Sequence, residues 1–191
     1  MITAARALCL SLLLSLGACG SDPPPDVFTL VPLPVAQASP APGLIVAVQD
    51  VDIPRYLDRP QIVRYGSTYQ LEVSDVARWG EPFGAMVTRV LVADLSRNLP
   101  GAQVFQETDA TAVPAQRSLE VTVNAFEADP ENVILLSARW VVRQANTRDL
   151  IFSDAAEIRV PNQNPTLSGM ANAMSQALGQ LSQEIALSLR L

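Results

Sequence analysis

The chain has 191 residues, enough for one ordinary domain and too few for two comfortable ones. Hydrophobic residues make up 49% and charged residues 17%, which suits a packed core and excludes a disordered chain. The net charge is −6, and the 13 basic residues are all Arg and never clustered, which argues against nucleic acid and against electrostatic attachment to anionic lipid.

Residues 1–18 read as a secretory signal. Arg6 supplies the positive start and Ala7 to Leu16 an apolar run too short to span a bilayer permanently. The run ends Leu16-Gly17-Ala18-Cys19, small residues before a cysteine, which matches the bacterial lipobox; the alternative is an ordinary signal with a chance Cys. Cys9 would leave with the signal and Cys19 would become the lipidated amino terminus, so the mature chain would hold neither free thiol nor disulfide. Several acyl chains on one residue anchor stably where a single chain is marginal. Gly20, rather than Asp, follows Cys19, which by the enterobacterial sorting convention favours the outer membrane.

Residues 19–43 are expected to form the lipidated terminus, a tether stiffened by Pro23-Pro24-Pro25, and a short edge strand over Val27 to Val31. A second Pro/Ala-rich connection runs from Pro32 to Gly43, and the domain proper is expected over residues 44–191. Leu44 to Ile53 is a near-continuous β-branched run, the pattern of a strand buried on both faces. Pro54 and Pro60 fix their own φ and push Ile53 and Arg59 towards extended geometry, leaving Arg55 to Asp58 as a bend. Gln61 to Tyr65 and Thr68 to Val73 flank Gly66-Ser67, which predicts a type II′ hairpin. Arg78-Trp79-Gly80-Glu81-Pro82 then switches strand to helix, with Pro82 expected at N1.

From Pro82 to Leu99, Phe83, Met86, Val87, Val90, Leu91 and Leu95 fall at helical spacing. Ala102 to Gln106 is a short strand. Leu119, Val121, Val123 and Ala125 alternate with polar residues, a strand with one wet face. Val133 to Arg143 returns with Ile134, Leu136, Ala138, Trp140 and Val142 on one face, and Leu150 to Val160 completes a meander. Thr166 is a candidate cap for a last helix whose apolar stripe is Leu167, Met170, Met174, Leu178, Leu181 and Ile185. Adjacent strands with only two helices predict an α+β fold: a single antiparallel or mixed β-sheet with two amphipathic helices packed on one face.

Catalysis is hard to build from these residues. The chain has no His and no Lys, which removes Ser-His-acid, Cys-His and Schiff-base chemistry. No Gly-rich phosphate loop is present, and no metal or cofactor is expected. Asp50 and Asp52 could pair on one strand face, but a solvated strand end is the simpler reading. The Tyr56, Leu57, Asp58, Arg59 bend has two readings. One is structural, with Asp58 paired to a nearby Arg and Tyr56 and Leu57 plugging the domain edge; the other is a presented loop of interface-forming residue types. Trp79 is read first as core at the strand-to-helix junction and second as part of such a surface. The Met- and Ala-rich stripe of the last helix is read as core, with packing of a neighbouring subunit also open.

The run from Asp52 to Val63, DIPRYLDRPQIV, followed by RWGEP at Arg78 to Pro82 and a helix, resembles the ABC-type transport auxiliary lipoprotein family of the paraquat-inducible protein C type. The resemblance implies a non-enzymatic lipoprotein that accompanies an ABC transporter and permease and a mammalian-cell-entry (MCE) domain protein in lipid movement between two membranes. It supplies no catalytic residue. Carried onto this chain, it implies a periplasm-facing subunit held at the outer membrane through Cys19; on that reading the presented bend Tyr56 to Arg59, with Trp79, is the expected partner contact. A homo-oligomeric collar around a tubular partner is compatible with the residues. The alternative from another class is a lipoprotein that itself binds a lipid or other small apolar ligand, which needs a concave apolar cavity.

Overall fold

The computed structural model describes residues 24–34, 38–67, 69–109 and 113–191. The expected signal segment and Cys19 lie outside the described residues. The elements are β1 (Asp26–Phe28), β2 (Ile45–Val48), β3 (Gln61–Ser67), β4 (Gln70–Trp79), α1 (Phe83–Asn98), β5 (Gln103–Gln106), β6 (Arg117–Ala128), β7 (Val133–Gln144), β8 (Leu150–Pro161) and α2 (Leu167–Ser188). Among the described residues no helix is long and apolar enough to cross a membrane.

The fold is α+β, but the single sheet expected from the sequence is two. Five strands are ordered β5-β2-β6-β7-β8 and three are ordered β1-β4-β3. In the larger sheet β2 pairs parallel with both β5 and β6, and β6, β7 and β8 form the antiparallel meander. In the smaller, β4 pairs antiparallel with β3 and parallel with β1. The cause of the split lies at the two prolines. After β2 a lone bridge, Asp52 to Thr122, keeps the chain against β6. The Pro54–Pro60 bend then turns it out of the larger sheet, and the next strands pair with each other and with β1. Periodicity reports which face of a strand is apolar, not which strand lies beside it.

Two local expectations also shift. The hairpin connection falls between Ser67 and Gln70, which pair with each other, and Gly66 lies inside β3. The register slips between Tyr65 and Ser67, so Gly66 marks a bulge rather than a turn. A Cβ there would lie 2.5 Å from Glu72 Oε1, so the absent side chain is what lets Glu72 lie flat across the strand. In β6 a register shift at Asn124 reverses the alternation. Leu119, Val121 and Val123 face the core before it, and Phe126 and Ala128 after it, so Ala125 is not in the inward set.

Both helices form where the apolar spacing predicts. Pro82 takes the N-cap of α1, one residue before the N1 position expected for it. Thr166 caps α2, its Oγ1 accepting from Gly169 N at 3.1 Å. The helices pack on each other, α1 against β5 and α2 against β7 and β8, so one face of the larger sheet is covered. Trp140, Leu136, Phe83, Met86, Leu91, Met174, Leu178 and Ile185 fill the space between and are almost wholly buried. The indole of Trp140 donates to Ser188 Oγ at 3.1 Å, tying the end of α2 to β7.

The described parts of the Pro/Ala-rich connection before β2 are tied to α1. Leu30 is fully buried, Leu33 N donates to Asp94 Oδ1 at 3.2 Å, and Arg97 donates to the Leu33 carbonyl at 3.1 Å. Further along, Ser39 N donates to Asn98 O and Gly43 N to Gly101 O.

Candidate functional site

The two motif runs meet. Leu57 N donates to Pro54 O at 2.9 Å and closes the bend, while Trp79 N donates to Pro60 O at 2.7 Å and ties it to the end of β4. Gly80 N donates to Phe28 O at 2.8 Å. A Cβ on Gly80 would sit 3.3 Å from Val27 Cγ1, so β1 comes close enough here to disfavour a larger residue. The bend, the strand-to-helix junction and β1 are therefore one backbone-linked unit.

Within that unit the predicted residues divide. Leu57 is buried in the core and Trp79 is only 7% exposed. Trp79 stacks on Phe83 with centroids 5.1 Å apart, and Phe83 leans on Phe126 at 5.7 Å. Such aromatic pairs add about 0.5–1.5 kcal/mol beyond area burial. Tyr56 is half-buried and donates to Glu127 Oε2 at 2.9 Å. Asp58 and Arg59 point outward, and among the described residues neither side chain has a hydrogen bond or ion pair, so the local Asp58–Arg pair considered from the sequence does not form. With Pro60, Trp79, Gly80, Glu81 and Pro82 they line a surface recess of about 310 Å³. Glu81 is held by Arg89, whose guanidinium bridges to it from within α1.

Glu127 is not legible from the sequence. The bulge at Asn124 moves it to the face opposite Phe126, beneath the bend, where it is 1% exposed. Its Oε2 accepts from Phe126 N at 2.8 Å as well as from Tyr56, and its Oε1 has no hydrogen-bond partner among the described residues. Burial pushes its carboxyl above the usual range, only partly opposed by those two hydrogen bonds. Burial, followed by the neighbouring Glu127 charge, pushes the Tyr56 hydroxyl up, so it stays a protonated donor. The pair fixes the orientation of the bend.

Asp50 and Asp52 belong to a neighbouring recess of about 280 Å³. Asp50 accepts from Gln106 Nε2 at 2.6 Å, as a strand-end carboxylate does, and among the described residues no cluster of three potential ligands could hold a metal ion. The recess beside Trp79 is small for a lipid site, since ligand pockets run from about 300 to 1,000 Å³, and Asp58, Arg59 and Glu81 give it a charged rim. What the arrangement offers is a rigid aromatic floor with two unpaired opposite charges at its edge, a surface suited to another protein.

Comparison with known proteins agrees with the motifs. Residues 28–186 match the family of ABC-type transport auxiliary lipoprotein components. Over 95 residues the chain is 28% identical to the intermembrane transport lipoprotein PqiC of Escherichia coli K12, and equally to that of Shigella flexneri. Those alignments cover 50% of this chain and 49% of each relative, so the chain matches about half the length of these curated relatives. Two crystal structures share the fold. One, of an uncharacterized protein, gives a TM-score of 0.72 at 21% identity over 86% of this chain and 98% of the other. The second, a protein from Xanthomonas campestris, gives 0.61 at 17% identity, covering 85% and 90%. With the family match spanning both motif runs, all eight strands but the first two residues of β1, and nearly all of α2, the chain belongs to the family of ABC-type transport auxiliary lipoprotein components.

Proposed function

We propose that the protein is a non-enzymatic, lipid-anchored periplasmic subunit that docks an MCE-domain protein of an intermembrane transport system, with its ABC transporter and permease, at the outer membrane. Cys19 carries the acyl chains and the Pro-rich segment sets the reach. The contact is the recess rimmed by Asp58 and Arg59, floored by Trp79 and held in shape by Tyr56 and Leu57. One observation carries this reading: two motif runs some twenty residues apart converge on one exposed recess at whose rim Asp58 and Arg59 have no partner among the described residues. Charges placed this way define register and rate of association more than raw affinity.

The test is capture of a purified MCE-domain protein by the lipoprotein. Arg59→Glu reverses one rim charge without touching the core and should weaken capture by at least tenfold while leaving the melting temperature unchanged. Leu57→Ala should lose both. Wild-type capture by Arg59→Glu refutes this docking surface. A Cys19→Ser variant should be folded and released from the membrane; if it stays membrane-bound, the anchor assignment is wrong.

A further inference from the structure

The outer half of the β3–β4 hairpin is apolar on one face and partly exposed, its inner end closed by Val63, which is buried in the core. Leu71 and Val73 alternate with Gln70 and Glu72 and so share a face, and their partners across the ladder are Tyr65 and Val63. At the turn Tyr69 is 98% exposed; Leu71 and Val73 are 37% and 39% exposed, and Val76, near the base, is 63% exposed. The opposite face carries the Arg64–Glu72 ion pair at 2.7 Å, which is self-neutralising. A large irregularity separates this arm from the body: Gln61 pairs with Arg78 but Val63 with Val73. Ser74 Oγ accepts from Ala77 N and Arg78 donates to Ser74 O, which hold the irregularity in shape.

Strand direction says where the arm points. β1 runs parallel to β4, with Asp26 beside Ala77 and Phe28 beside Trp79. The chain before Asp26 therefore enters from the side on which β4 leads back to Gln70 and the turn. The two lengths are comparable. From Ala77 to Gln70 the arm reaches about 23 Å at strand rise. From Cys19 to Asp26 the chain reaches about 22 Å in polyproline geometry and at most about 25 Å when fully extended. A membrane that holds Cys19 thus lies about as far from the body as the tip of the hairpin.

From this we infer that the hairpin tip, with Tyr69 leading and Leu71 and Val73 behind it, inserts into the lipid–water interface of the membrane that holds Cys19. The inference rests on the reading of Cys19 as the lipid-attachment residue. The occupant is the interface because the patch is apolar with an aromatic hydroxyl at its end, the side-chain type that sits with its ring in lipid and its polar tip in water. The chain's acidity and lack of Lys leave apolar insertion as the driving term. The contact gives the anchored domain a second point of attachment, and so a fixed orientation.

The experiment uses the full-length lipoprotein in phosphatidylcholine vesicles, with an environment-sensitive fluorophore on Tyr69→Cys. The control is the same fluorophore on Leu187→Cys, 60% exposed near the far end of α2. Leu167, at the near end of that helix, lies by the hairpin. Flotation first establishes whether the protein is on the vesicles. The expected result is a blue-shifted emission and a several-fold loss of iodide quenching at position 69, with position 187 unchanged. Leu71→Asp on the same background should reverse the shift while the protein still floats. An unshifted probe on floating protein overturns the insertion and leaves the anchor intact. Protein that does not float overturns both. A shift that appears only when the transport partner is added assigns the hairpin to a protein contact and likewise overturns the proposal.

Discussion

Asp94→Asn tests how the segment before β2 is fastened. Asp94 is 2% exposed on α1; its Oδ1 accepts from Leu33 N at 3.2 Å, and its Oδ2 has no partner among the described residues. Burial pushes its carboxyl up to about 6 from 3.8, with the Leu33 hydrogen bond and the Arg97 charge opposing the rise. A folded value above the unfolded one means the folded state holds the proton more tightly. Stability from this group is therefore fully present below about pH 4, falls as the pH rises towards about 6, and is level above. A tenfold difference in proton affinity between the two states is worth about 1.4 kcal/mol, so the buried carboxylate costs about 2–3 kcal/mol at pH 7.5. Asn keeps the shape and the acceptor for Leu33 N and removes the charge. Urea unfolding, followed through the fluorescence of the buried Trp79 and Trp140, should show Asp94→Asn about 2–3 kcal/mol more stable than wild type at pH 7.5. The gap should close to near zero at pH 4. Glu127 and Glu184 also titrate above the usual range, but they are common to both proteins and cancel in the difference. A variant that is less stable at pH 7.5, or a gap that does not change with pH, refutes the assignment.

The other predictions concern packing. Gly169→Ala drives a Cβ into the Asn164 carbonyl oxygen and should lower stability by at least about 2 kcal/mol, because backbone must move. Gly179→Ala, on the same helix with nothing within 4 Å, should raise it by about 0.5–1 kcal/mol; thermal melts of the two give opposite signs if the loop before α2 is as tight as described. Tyr56→Phe leaves Glu127 with only the Phe126 N–H and should lower stability by about 1–2 kcal/mol. Removing that hydrogen bond raises the Glu127 carboxyl further, so the loss should be larger at pH 8 than at pH 4; a pH-independent loss would make Tyr56 a packing residue only.

The helices are legible in the sequence because their signals are local. Six apolar residues at 3.6 spacing and a Thr before the run determine α2 without knowledge of anything else in the chain, and the same holds for the alternation of Ile134 to Val142. The division into two sheets is not legible, since nothing in the residues of β3 and β4 states that β1 will lie beside them in parallel. Gly66 is ambiguous for a related reason: a glycine between two β-prone runs signals a turn or a bulge equally, and the pairing of Ser67 with Gln70 decides. Glu127 is hidden by one extra residue in β6. Simple alternation from Leu119 puts it on the apolar inward face, and only the slip at Asn124 turns it to the opposite face, where it meets Tyr56. At the bend the sequence identifies the residues and leaves their roles open; the fold separates them, with Tyr56 and Leu57 turned in and Asp58 and Arg59 turned out.

That separation has a physical consequence. A docking loop held only by its own turn would lose conformational freedom on binding, about 1–2 kcal/mol per residue ordered. Here the ordering is done when the chain folds. Leu57 is in the core, Tyr56 is hydrogen-bonded to a carboxylate that is itself held by β6, and Pro60 O is bonded to Trp79 N. The rim of the recess is then carried by a helix–sheet body rather than by a loop, so that on the proposed docking a partner would meet Asp58 and Arg59 already in place. Glu127 remains the weak point of this arrangement. A buried carboxyl with one oxygen unpartnered is unfavourable in the folded state; what it gives in return is the orientation of Tyr56. The double variant Tyr56→Phe with Glu127→Gln should therefore recover stability lost by Tyr56→Phe alone and yet leave partner capture impaired.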